Sequence, residues 1–226
     1  ERNNVVPMTT CFAHVSLDEI HDLGFRSVKF ASYDCASLPL LRRATEKFES
    51  IYVSTGASFD NEIEDCVNLL EQSGKDFTIL HCVTIYPTPL TEMHLARLAY
   101  LSDLVGDKPI GFSDHSLFEK DGVLASLAAI FLGASCIERH YTILDSDQSR
   151  DGPVSINASG LNQIRDFSAL SKDEQRIFLD TEYSGWEASL IGEKRRRLSD
   201  VELSNRAYYR GRFGSPREGY DARNMI

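Results

Sequence analysis

The sequence predicts an α/β fold with a buried parallel sheet, arranged as a TIM-type (β/α) barrel. Three observations predict it. Short runs that are apolar throughout alternate with amphipathic segments of helical period, so each strand is expected to be covered on both faces. Six such strand–helix units follow one another in the 226 residues with no sign that their order turns back, which favours a barrel over an open doubly wound sheet. The ends of the expected strands are polar and charged although the strands are not, and a barrel carries its chemistry at that face.

The elements follow in order. Strands are expected at "NVVPMTT" (4–10), "SVKFAS" (27–32), "SIYVST" (50–55), "FTILHCVTI" (77–85), "KPIGFS" (108–113) and "SCIERHY" (135–141). The first helix, "LDEIHDLG" (17–24), carries Leu17, Ile20 and Leu23 at helical spacing. "LPLLRRATEKF" (38–48) is next, then "NEIEDCVNLLEQSG" (61–74) with Ile63, Val67 and Leu70 on one face and a glycine stop. "TEMHLARLAYLSDLVG" (91–106) and "DGVLASLAAIFLG" (121–133) also end in glycine. After Tyr141 the pattern changes: the text from 157 reads as polar helices with no further strand, and the last stretch, rich in Arg, Gly and Tyr, reads as irregular. The expected division is a barrel part at 1–171 and C-terminal helices with an Arg-rich tail at 172–226. The chain opens on Glu rather than Met, which reads as a start inside a longer chain.

Composition excludes several classes. The net charge of −10 is spread along the chain and argues against a nucleic-acid partner; the basic run "GEKRRRL" (192–198) reads as a solvated helix end. No apolar stretch approaches the length of a membrane span, and no secretory leader is visible. The five cysteines (Cys11, Cys35, Cys66, Cys82, Cys136) have no CxxC spacing and an odd count, so they read as free thiols in a reducing cytoplasm.

The expected strand ends supply Thr10 and Phe12; Lys29, Ser32 and Asp34; Ser54, Thr55 and Gly56; Thr84 and Tyr86; Ser113, Asp114 and His115; and Glu138 and His140. Most have a plain explanation singly. "STG" at 54–56 is a turn with a helix cap, and also a small-residue geometry that lets backbone N–H groups approach a phosphate. Alternation along "SVKFAS" turns Lys29 inward. A single histidine ending a strand is most simply structural. Two on consecutive strands are harder to dismiss, because neighbouring strand ends lie only about 5 Å apart, a distance a bridging metal fits. A shared site is the better explanation.

Taken in series, "KFAS" with Asp34, "VSTG", "LHCVTIYPTP", "IGFSDHS", "GASCIERHYT" and "DGPVSI" resemble the N-acetylneuraminate (sialic acid) synthase family over roughly residues 4–160. The resemblance implies a TIM barrel that condenses phosphoenolpyruvate with an N-acyl-hexosamine, such as N-acetylmannosamine, to a nine-carbon 2-keto sugar acid with release of phosphate. It implies that His115 and His140 bind a divalent metal, Mn²⁺ or Mg²⁺. Lys29, Ser32, Ser54, Gly56 and Ser113 would then hold phosphoenolpyruvate. Thr10, Phe12, Thr84 and Tyr86 would line the substrate site, with Asp34, Asp114 and Tyr86 in catalytic roles. A cytoplasmic homodimer is implied as well. Within this frame Asp34 stands where Glu is usual, and Thr84 where the family has an amide.

Three departures stand beside the resemblance. The family barrel begins with two further βα units, bearing a Glu near the metal and another Lys, which this chain does not show; six strands cannot close an eight-stranded barrel. Where members read "GPD", this chain reads Gly152-Pro153-Val154, which removes a sugar-binding Asp, with Asp151 next to the gap. No antifreeze-like domain is expected, and Arg206, Arg210 and Arg212 read either as substitute cations for the substrate or as a packed tail. Two other functions remain open: a Schiff-base aldolase using Lys29, which leaves the histidines unexplained, and a degenerate barrel kept as a sugar-phosphate-binding or assembly subunit.

Overall fold

The structure is a computed structural model that describes residues 5–209. Six parallel strands lie in chain order, β1-β2-β3-β4-β5-β6, in one sheet with no reversal of direction or order, as the barrel reading expects. They are β1 (Thr9–Thr10), β2 (Ser27–Phe30), β3 (Ser50–Ser54), β4 (Asp76–Cys82), β5 (Ile110–Asp114) and β6 (Cys136–Arg139). The described residues divide into two compact units, 5–80 with 197–209 and 81–196.

In the first unit α1 (His14–Asp22), α2 (Leu38–Lys47) and α3 (Asp60–Ser73) follow β1, β2 and β3. The register pairs Thr10 with Lys29, Lys29 with Tyr52, and Ser54 with Leu80, so polar residues accumulate at the carboxyl ends of apolar strands. Val28, Phe30, Ile51, Val53 and Ile79 are buried, as are Leu17, Leu40, Leu41, Ile63 and Leu70 of the helices. Each large side chain so buried contributes roughly 1.5–3 kcal/mol. Gly74 ends α3 in the left-handed region, φ 67°, which a glycine adopts without a Cβ penalty. The unit also holds α10 (Asp200–Tyr209), whose start is fixed reciprocally: the Ser199 N–H donates to the Glu202 carboxylate at 3.1 Å, and the Glu202 N–H to Ser199 Oγ at 3.3 Å.

The second unit holds α4 (Arg97–Val105), α5 (Phe118–Asp121), α6 (Leu124–Phe131), α7 (Ala158–Ser168), α8 (Lys172–Glu182) and α9 (Trp186–Leu190). Phe112 of β5 is fully buried, and the α6 face packs with Trp186, whose ring meets Phe131 edge-on at 5.8 Å. Among the described residues no helix is long and apolar enough to cross a membrane.

Several expected boundaries are corrected. The first strand is two residues long rather than 4–10. Val5 and Val6 are exposed, Pro7 has no N–H for a ladder, and Asn4 lies outside the described residues. The expected 91–106 helix starts only at Arg97, because His94 takes φ 47° after a 3₁₀ turn at Leu90–Glu92. The helix expected at 121–133 starts only at Leu124, as α6: Asp121 closes the short α5 before it, and Gly122 follows at φ 58°. After Tyr141 there is only an isolated parallel bridge, Tyr141 to Ile156, among the described residues. All five cysteines are free, and Cys11, Cys35, Cys66 and Cys82 are buried.

Candidate functional site

Two clusters stand at strand ends, one in each unit. In the first, Lys29 is buried on β2, 5% exposed, and its Nζ donates to Ser54 Oγ at 2.7 Å and to the Phe30 carbonyl at 3.0 Å. A buried Lys side chain at a strand end is a group with which an anion can form a charge-assisted hydrogen bond. β3 then enters the turn Thr55-Gly56-Ala57-Ser58, whose four residues are buried and in which Ala57 takes φ 51°. Thr55 Oγ1 donates to the Leu80 carbonyl at 3.1 Å, and Ser58 Oγ to the Ser32 carbonyl at 3.3 Å, tying this turn to the loop after β2. Ser32 and Asp34 lie buried in that loop, in a 3₁₀ turn. Thr10 is half-buried and Phe12 is exposed. Beside them, burial pushes the Cys11 thiol pKa up, and the negative charge of Asp34 adds to it.

The second cluster lies around β5 and β6. The His115 and His140 rings approach to 5.2 Å between centroids at 61°. His115 is buried, its ring lies 4.1 Å from that of Tyr86, and its Nδ1 is 3.9 Å from Cys82 Sγ. Burial, and then the neighbouring His140, push the His115 pKa down to about 4, so near pH 7 it is a neutral imidazole with a free lone pair. His140 is more exposed, and its Nδ1 lies 3.7 Å from the Asp151 carboxylate, near enough for that charge to bias which ring nitrogen carries the proton. Tyr86 is half-exposed and Thr84 is buried.

Ser113 donates to the Glu138 carboxylate at 2.6 Å, across the register that pairs the two residues. Asp114 is wholly buried and both its oxygens are occupied. One accepts the Ser116 N–H at 2.8 Å; the other accepts Ser126 Oγ at 2.6 Å and is ion-paired with Arg139. Arg139 also donates to Ser116 Oγ at 2.7 Å. Asp114 is thus built into the turn that carries His115.

Of the partners of these groups, Glu138, which accepts from Ser113, was already among the expected strand-end residues; Arg139, paired with Asp114, and Glu62, paired with Arg206, were not singled out. Arg139 precedes His140 directly, and that position was its signal. Arg210 and Arg212 lie outside the described residues. Val154 is buried and apolar, and the carboxylate of Asp151 lies 3.7 Å from His140 Nδ1. A Cβ on Gly152 would run into the Ser146 carbonyl, so the loop admits only glycine there.

Among the described residues, no set of three or more His, Cys, Asp or Glu side chains converges as a metal cage. The donor chemistry nonetheless fits a divalent metal that draws its other ligands from water and substrate. Two imidazoles meet, and the buried one is held neutral and able to ligate.

The NeuB family model matches residues 1–173. The chain is 35% identical over 153 residues to an N,N'-diacetyllegionaminic acid synthase of Campylobacter jejuni, covering 66% of this chain and 43% of that protein. It is 32% identical over 150 residues to an N-acetylneuraminate-9-phosphate synthase of Drosophila melanogaster, covering 66% of this chain and 39% of that one. The solved structure of the Bacillus subtilis spore coat polysaccharide biosynthesis protein SpsE superposes with a TM-score of 0.74 at 25% identity, over 89% of this chain and 55% of that one. The fold is accordingly part of a TIM barrel, and the chain spans about half the length of the curated relatives it matches.

Proposed function

Because the chain belongs to the NeuB family, we propose that it carries out the condensation of phosphoenolpyruvate with an N-acyl-hexosamine to a nine-carbon 2-keto sugar acid. In the balanced reaction C3 of phosphoenolpyruvate attacks the aldehyde carbon of the open-chain sugar and forms the new C–C bond. The aldehyde oxygen takes up a proton, water adds at C2, and phosphate leaves as the C2 ketone forms. The relatives named after legionaminic and N-acetylneuraminic acids support a hexosamine as the acceptor class.

Lys29 supplies fixed positive charge for the phosphate and carboxylate, with Ser32, Ser54 and the Gly56 turn as hydrogen-bonding partners. His115 and His140 would hold a divalent metal, Mn²⁺ or Mg²⁺, which when bound polarises the aldehyde oxygen as a Lewis acid. Tyr86, half-exposed against the His115 ring, would meet the sugar, and Asp114 with Arg139 would hold the turn that presents His115. The observation that carries this reading is the meeting of the two imidazoles at the ends of consecutive strands. Free thiols suit a reducing cytoplasm, and a homodimer is the assembly that goes with the family.

The test combines phosphoenolpyruvate, Mn²⁺ and a panel of N-acyl-hexosamines, with released phosphate and the mass of the product as readouts. Equimolar phosphate and a nine-carbon 2-keto acid are expected. Burial of Val154 in place of an acidic group favours a second reading, a barrel that binds phosphoenolpyruvate without turnover. Binding with no phosphate released from any sugar would select it.

A further inference from the structure

Arg206 belongs to α10, outside the stretch that the family model matches, yet it bonds directly to the turn after β3. Glu202, Arg206 and Tyr209 fall at i, i+4 and i+7, one face of that helix. Glu202 is fully buried, and Tyr209 stacks on Tyr33 of the loop after β2, at 5.1 Å between ring centroids. Between them, the Arg206 guanidinium makes a two-point bond to Glu62, Nη1 to Oε2 at 2.9 Å and Nη2 to Oε1 at 2.5 Å. Nη1 also donates to the Ala57 carbonyl at 2.6 Å, and the guanidinium lies 4.5 Å from the centre of the Phe59 ring. Glu62 in turn accepts the Phe59 N–H at 2.9 Å.

These bonds close on the one residue of the turn that needs holding. Ala57 sits at φ 51°, a left-handed conformation unfavourable for a residue with a Cβ, which persists where its surroundings over-determine it. Its carbonyl is fixed by Arg206, and the backbone two residues on is fixed through Glu62. The pair is well shielded, with side-chain exposures of 15% and 10%, so it is not a screened surface contact of little worth.

We propose that Arg206 is a positioning residue for the anion-binding turn: from α10 it holds Thr55–Ser58 in the conformation that receives the phosphoenolpyruvate phosphate, without touching the ligand. The ligand assignment rests on the function proposed above; the ordering of the turn does not. Arg206 therefore affects affinity through the geometry of residues 55–58, and Glu62 acts as the same unit.

The test uses the full chain as R206Q, E62Q and the double variant, with two readouts well below the melting temperature. Amide hydrogen exchange across 55–60 is expected to quicken at least tenfold in either single variant. Phosphoenolpyruvate Kd by titration calorimetry is expected to rise about tenfold in each, and the double variant to be no worse than either single, as for two halves of one contact. E62Q leaves α10 intact, so it keeps the test decisive if R206Q loosens that helix. Unchanged exchange at 55–60 in both single variants overturns the proposal, as does quickened exchange with an unchanged Kd. If the wild-type chain binds no phosphoenolpyruvate, the proposed function fails, and the exchange result alone then decides the ordering role of Arg206.

Discussion

Replacing Lys29 with Met removes one charge from the first cluster while keeping an unbranched side chain of similar shape. Lys29 is 5% exposed, and its hydrogen bonds include one to Ser54 Oγ at 2.7 Å and one to the Phe30 carbonyl at 3.0 Å. Losing these two costs about 1 kcal/mol each in folding stability, a change that melting curves read separately from binding. A desolvated anion deprived of its charge-assisted partner forfeits about 2–5 kcal/mol, a rise in Kd of roughly thirty-fold to several thousand-fold. Calorimetric titration of phosphoenolpyruvate into wild type and K29M, with melting curves of both, separates the two effects. A Kd within twofold of wild type, in a variant that melts normally, would refute the assignment of Lys29 to the anion.

A second expectation concerns acid stability. His81, fully buried on β4, donates from Nε2 to the Met93 carbonyl at 2.7 Å, and burial pushes its pKa down to about 3. Between pH 6.5, the usual value in an unfolded chain, and about 3, the unfolded chain binds a proton that the folded one refuses. Stability should thus be lost as pH falls through that window, by up to about 1.4 kcal/mol per unit from this group, and H81Q should flatten the slope in urea unfolding at pH 4–6. An identical slope in H81Q would assign the acid sensitivity elsewhere. For the buried pair, D114A should cost about 3–5 kcal/mol because Arg139 is left uncompensated, whereas D114L with R139M should cost markedly less. Equal losses in the two proteins, by denaturant midpoint, would contradict that account.

Much of this architecture was legible from apolar runs and helical spacing, because strands covered on both faces must be apolar along their length. What was not legible depended on single backbone angles or on distant partners. His94 at φ 47° delays α4 until Arg97, and Gly122 at φ 58° delays the helix expected from 121 until Leu124. Val5 and Val6 look like a strand but remain exposed, since residue type does not reveal whether a neighbour covers it. At the site, the histidines and Lys29 were visible because a polar group ending an apolar strand is conspicuous. Their partners were less so: Glu62 and Arg206 stand 144 positions apart, and nothing in either local segment marks them as a pair. Asp114 could be singled out from the sequence, whereas the engagement of both its oxygens by Ser116, Ser126 and Arg139 depends on partners that no local pattern marks.

The meeting of His115 and His140 is the centre of the account, and Mn²⁺ bound to the protein reports on it directly. Pulsed electron paramagnetic resonance of a stoichiometric Mn²⁺ complex near pH 7.5 should show couplings from two imidazole nitrogens, reduced to one in H115A and in H140A, with the secondary structure of both variants unchanged by circular dichroism. Mn²⁺ that carries only water protons, or retains two nitrogen couplings after either replacement, would contradict it and leave the two histidines with a structural role alone.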